Sequence, residues 1–186
     1  MKKKNLLTTL VFTILLLLTT YPATYYVDNS RPDDTGSGLS WALAKKTISA
    51  AISVSAAGDT ILVKYGTYLI TSSLSLTNNR MITSDDGSNN SWNTALYDSS
   101  QCIIKPDISV RCRIFTISTN GISNSTHLRG FKITEGDASL ETINALYGGG
   151  ILIFSDADPV IENCWIFKNT AAIIFGQSYG GGIAIT

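Results

Sequence analysis

Histidine, cysteine and charge are all scarce in this chain: one His, three Cys and 15% charged residues among 186. His127 stands alone, and Cys102, Cys112 and Cys164 show no close spacing, so the ligand set that zinc requires is missing. Lys plus Arg and Asp plus Glu number 14 each, and no basic stripe interleaved with aromatics occurs. Nothing therefore steers the protein toward nucleic acid. No Lys-Ser or Lys-Thr follows the glycine clusters, which excludes a phosphate-cradling loop. Asp156 also falls at the wrong offset after Gly148-Gly149-Gly150 for a calcium-binding nonapeptide repeat.

What is abundant is Gly, Ser, Thr, Asn and β-branched residues, a mixture suited to short strands joined by tight turns. Two glycine triplets lead into alternating apolar runs, Gly148-Gly149-Gly150-Ile151-Leu152-Ile153 and Gly180-Gly181-Gly182-Ile183-Ala184-Ile185, 32 residues apart. A second register sets Leu128-Arg129-Gly130-Phe131-Lys132-Ile133 over Ile161-Glu162-Asn163-Cys164-Trp165-Ile166, offset by 33. A recurrence of this length marks units that stack on one another. Gly130 and Asn163 are residue types that tolerate positive φ, so a bend there shifts strand parity by one. Phe131, Ile133, Cys164 and Ile166 are then expected inside. Gly136 and Asn169 are expected as a second turn pair, and Glu135–Lys168 and Arg129–Glu162 as charge pairs on adjacent turns of the stack.

Lys2 to Lys4 followed by the apolar stretch Leu6 to Leu18 reads as an export signal over residues 1–23, cleaved after Ala23; the competing reading is an uncleaved anchor. Its removal would leave 11 basic against 14 acidic residues. Cys102 and Cys112 flank a turn at Pro106-Asp107 and can pair if the compartment oxidises. Residues 24–70 are expected to hold a first strand and a helix capped by Thr47 and closed by Gly58, with Ile48, Ala51, Ile52 and Ala56 on its apolar face. That helix would cover the open end of a stack. Residues 71–186 are expected to form its turns, with Asp85 to Ser100 as a long polar loop and with the repeats continuing past Thr186 to cap the far end.

The succession Tyr25-Tyr26-Val27-Asp28, Gly38-Leu39-Ser40-Trp41-Ala42, Lys46-Thr47-Ile48-Ser49-Ala50-Ala51-Ile52, Gly58-Asp59-Thr60-Ile61 and Gly66-Thr67-Tyr68 resembles the N-terminal cap of secreted right-handed parallel β-helix proteins of the pectin-lyase-like class. Gly-Gly-Gly-Ile and Ile-Glu-Asn-Cys-Trp-Ile-Phe-Lys-Asn resemble its repeats, which also occur in polymorphic outer-membrane proteins of bacteria. The resemblance implies an all-β, right-handed parallel β-helix with an N-terminal capping helix, secreted or at the cell surface. It does not choose an activity, because the class includes lyases, glycoside hydrolases, adhesins and proteins without a known role.

Acids that would cleave a glycan must converge, and no two do so by register, nor does His127 gain an acidic neighbour. Trp165 is the sharpest candidate. Parity turns it and Phe167 outward, where an indole can stack on a sugar ring. The alternative is that the segment 136–147 folds over it. The expectation is a non-catalytic carbohydrate-binding or structural and adhesive module, taking a polysaccharide or surface glycan as partner. The rival is a polysaccharide lyase or glycoside hydrolase whose active site lies mostly in turns beyond Thr186. No metal site or cofactor is expected, and calcium enters only under a lyase-like reading.

Overall fold

The computed structural model describes residues 21–85, 99–118, 121–140, 147–154, 156–172 and 180–186. Residues 1–20 of the expected export signal (1–23) and residues 86–98 of the expected loop 85–100 lie outside the described residues. Among those described, no helix is long and apolar enough to cross a membrane.

Among the described residues, thirteen strands share three wholly parallel sheets. The opening strand β1 (Thr24–Val27) is followed by β2 (Thr60–Lys64), β3 (Gly66–Ile70) and β4 (Leu74–Leu76). The second pass is β5 (Met81–Asp85), β6 (Cys102–Pro106) and β7 (Phe115–Ile117). The third is β8 (His127–Arg129), β9 (Lys132–Thr134) and β10 (Ile151–Ile153), and the fourth β11 (Val160–Glu162), β12 (Trp165–Phe167) and β13 (Ile183–Ile185). Each pass gives one strand to each sheet in the same order. Sheet I is β1-β2-β5-β8-β11, sheet II β3-β6-β9-β12 and sheet III β4-β7-β10-β13. This is an all-β parallel arrangement, compatible with a β-helix-like solenoid.

The recurrences read from sequence are the observed registers. Leu128 pairs with Ile161, Ile133 with Ile166, and Ile151 with Ile183. Gly130 (φ 79°) and Asn163 (φ 52°) both take the left-handed backbone. Gly130 N–H donates to Glu162 O at 3.1 Å, and Trp165 N–H to Phe131 O at 2.8 Å, so the bends stack directly. Phe131, Ile133, Leu128, Ile104 and Ile82 are wholly buried between the sheets. Stacking each strand on its like is what keeps this interior dry, since a one-residue slip would turn every side chain over.

The second corner differs from expectation. The left-handed residues there are Glu135 (φ 63°) and Lys168 (φ 54°), one position ahead of Gly136 and Asn169. Gly136 is glycine for space: a Cβ would lie 2.8 Å from Ile114 Cγ1 and collide with Gly149 O. Asn169 acts through its side chain, accepting from Gly136 N–H at 2.8 Å and donating to Ile133 O at 3.0 Å. It thereby bridges two passes where the ladders lapse. The glycine triplets also divide their work. Gly148 (φ 51°) and Gly180 (φ 58°) make the bend. Gly149 permits backbone to lie against Thr170.

The helix α1 (Ile48–Val54) starts as expected, with Thr47 Oγ1 accepting from Ala50 N–H at 3.2 Å. It stops at Val54, so Ala56 lies beyond it, and Gly58 (φ 89°) shapes the following turn rather than the helix end. Ile48 and Ala51 join the core, and α1 packs on β1, β2 and β4. Buried Arg80 ties it down, donating from Nη1 to Ile52 O at 2.8 Å and to Ser55 Oγ.

Candidate functional site

Alternation about the inward Tyr68, Ile104, Ile133 and Ile166 directs the residue before each of them outward. Register aligns Thr67, Ile103, Lys132 and Trp165 in one row across that face. Because the bend at Asn163 resets parity, Trp165 and Phe167 leave the interior while Cys164 and Ile166 enter it. Trp165 is 50% exposed. Its ring stacks on Phe167 with centroids 4.7 Å apart and planes at 23°. Lys132 Nζ lies 4.9 Å from the Trp165 ring centre and 5.1 Å from that of Phe167. Lys168 Nζ lies 5.9 Å from Phe167.

The site is therefore a stacked aromatic pair attended by two ammonium groups. Each cation–ring contact contributes on the order of 0.5–1 kcal/mol at an exposed position, enough to orient the rings without hiding them. Of the segment 136–147 expected as a possible cover, residues 141–146 lie outside the described residues. Neither lysine was expected beside the aromatic pair; Lys168 was expected to pair with Glu135. Lys132 was findable, since the offset of 33 places it beneath Trp165.

A second polar group sits on the outer face of sheet I. Glu162 Oε1 accepts from Arg129 Nε at 2.7 Å and also from Arg129 Nη2, and it lies 3.1 Å from His127 Nδ1. The Arg129–Glu162 pair is the expected one. The expectation that His127 has no acidic neighbour is overturned. Directly above His127 is Val160, but Glu162 lies on the diagonal, and a long side chain spans that distance. Partial burial pushes the Glu162 carboxyl upward, yet hydrogen bonds from His127 and Arg129 hold it below its usual range. One carboxylate shared between a guanidinium and an imidazole is a clamp on adjacent passes.

Glu135 pairs with Lys105 on the pass below, at 3.1 Å, instead of with Lys168 above. Left-handed geometry at both Glu135 and Lys168 turns the corner, and Lys168 leans on Phe167. Among the described residues, no cluster of three or more His, Cys, Asp or Glu is placed to hold a metal. No disulfide joins Cys102 and Cys112. Cys102 is wholly buried, and burial pushes its thiol far above the ordinary range. Asp33 accepts from Thr35 N–H and Oγ1 at 2.9 and 2.6 Å, which is turn chemistry.

A cleft of about 420 Å³ opens at the capped end, between β3 with its following corner and the segment entering α1. Sequence reasoning had no signal for it. It exists because α1 packs on β1, β2 and β4, while β3 remains the outermost strand of sheet II.

No protein-family model, no curated protein and no solved structure matches this chain.

Proposed function

We propose that the protein is an exported, right-handed parallel β-helix whose sheet II outer face binds carbohydrate, as a non-catalytic surface or adhesive module. The stacked, half-exposed Trp165 beside Phe167 carries this reading. A flat aromatic face offers a sugar ring apolar contact at little conformational cost. Lys132 and Lys168 beside it favour glycans bearing carboxylate or sulfate groups. The wholly parallel sheets support the right-handed coil, because crossovers between parallel strands of one sheet take that hand in about 98% of cases. Lys2 to Lys4 and the apolar stretch that follows support export.

Affinity electrophoresis through gels containing polygalacturonate, alginate or neutral dextran tests the reading. Retardation is expected in the acidic gels, and Trp165→Ala should weaken it about tenfold, the equivalent of ~1.4 kcal/mol. Equal mobility of parent and Trp165→Ala in every gel would remove it. The second reading, a lyase or glycoside hydrolase, draws on the His127–Glu162 hydrogen bond alone. Release of unsaturated uronates or reducing ends by the parent, abolished in Glu162→Gln, would establish it in place of the first.

A further inference from the structure

The cleft at the capped end has one wall made of exposed main chain. Among the described residues, β3 ends sheet II on that side and pairs only with β6. Gly66 N–H donates to Gln101 O, and Ile70 O accepts from Asp107 N–H, both at 2.8 Å. The peptide groups of Gly66, Tyr68 and Ile70 thus point toward β6. In an extended strand those of Thr67 and Leu69 must point the other way, into the cleft that both residues line. Thr67 C=O is engaged there by the Asn29 side chain, whose Nδ2 donates at 2.9 Å. Thr67 N–H, Leu69 N–H and Leu69 C=O complete the edge.

Edge strands are commonly blunted by proline, charge or a bulge. The sequence of β3, Gly-Thr-Tyr-Leu-Ile, contains neither proline nor charge. The facing wall is Lys46 to Ser49, and the buried Ile48, Ile70 and Leu74 supply apolar surface between. Lys46 donates from Nζ to Pro32 O at 3.1 Å and makes no ion pair among the described residues. The Asn29 amide already does what a peptide N–H would do on this edge. Donors and acceptors repeating every second residue match another extended backbone, whereas sugar hydroxyls have no such repeat.

We propose that this cleft docks an extended peptide segment of a partner protein, added beside β3 as a further strand through Thr67 and Leu69, with an acidic side chain of the peptide set against Lys46. Main-chain pairing of this kind supplies affinity, and the side-chain pockets supply selection. Thr67 shares its row on sheet II with Trp165, but Trp165, Phe167, Lys132 and Lys168 line no part of the cleft, so a Trp165 variant and a β3 or Lys46 variant test the two sites separately.

The test titrates the ¹⁵N-labelled protein with acetyl-Thr-Val-Thr-Val-Asp-amide. Binding should shift the Thr67 and Leu69 amides and slow their hydrogen exchange. Methylating alternate peptide nitrogens, on the edge that faces β3, should weaken binding at least about tenfold. Leu69→Pro should do the same, because it deletes an N–H that lies outside the β3–β6 ladder, a position edge strands tolerate. Lys46→Gln should abolish the preference for Asp over Asn in the peptide. Unmoved Thr67 and Leu69 amides at millimolar peptide, or indifference to N-methylation, would overturn the proposal. So would cellopentaose shifting the same amides while the peptide does not. The N-methylation comparison leaves the protein unaltered and decides the matter even if Leu69→Pro fails to fold.

Discussion

Adding a single methyl group at Gly149 should unfold this protein far more readily than adding one at Gly58. A Cβ on Gly149 would lie 2.6 Å from both the carbonyl carbon and the nitrogen of Thr170, while ordinary contacts begin near 3.4 Å. The neighbouring backbone must therefore retreat by close to 1 Å, and it is held from two sides. Thr170 N–H donates to Gly136 O at 2.7 Å, and Thr170 O accepts from Ala138 N–H at 2.9 Å. Overpacking that forces backbone shifts costs about 1–3 kcal/mol, and the pinned backbone here places Gly149→Ala near ~3 kcal/mol. At Gly58 nothing lies within 4 Å and the only penalty is its φ of 89°, so Gly58→Ala should cost ~1 kcal/mol. With a urea slope of ~2 kcal/mol/M, the midpoints should fall by ~1.5 M and ~0.5 M respectively. Equal midpoints for the two variants, followed by tyrosine and tryptophan fluorescence, would show that no backbone contact joins these passes at Thr170.

Arg80→Met should cost about 2 kcal/mol, since it strips hydrogen bonds from Ile52 O and Ser55 Oγ, and amide exchange should accelerate at Ala51 and Ser55 before the sheets respond. The Glu162 carboxyl, held below its usual value, binds its proton more weakly in the folded chain than in the unfolded one. Its contribution is therefore complete above the ordinary glutamate range and is lost as pH falls through the depressed value. A urea series from pH 7 to pH 3 should show Glu162→Gln losing less stability than the parent below pH 4.5; parallel losses would refute the clamp. Cys102 should escape a thiol reagent at pH 8 in the folded chain, so Cys102→Ser should label at the parent's rate and only unfolding should expose the difference.

The stacking was legible wherever two passes have equal length. Gly130 with Asn163 and Gly148 with Gly180 betray their bends because few residue types accept positive φ. It was illegible at β5, which lies 21 residues after β2 and 46 before β8, so no self-similar window frames it. Ser84 there is wholly buried, which also breaks the apolar alternation that would mark a strand. The corner at Glu135 and Lys168 escaped notice for a related reason: geometry imposed by the stack overrides side chains that do not favour it. Trp165 and Phe167 were placed outward by parity alone. Their mutual stacking, the attending lysines and the diagonal from His127 to Glu162 required side-chain positions. The cleft required knowing which strands α1 covers.

Because all the ladders run side by side along one axis, a pull applied between Thr24 and Ile185 loads them unequally. The outermost row takes the strain first, and its few bonds part before the next row is reached. Such a stack should yield to longitudinal tension by unzipping, pass after pass, at forces well below those needed to shear strands past one another.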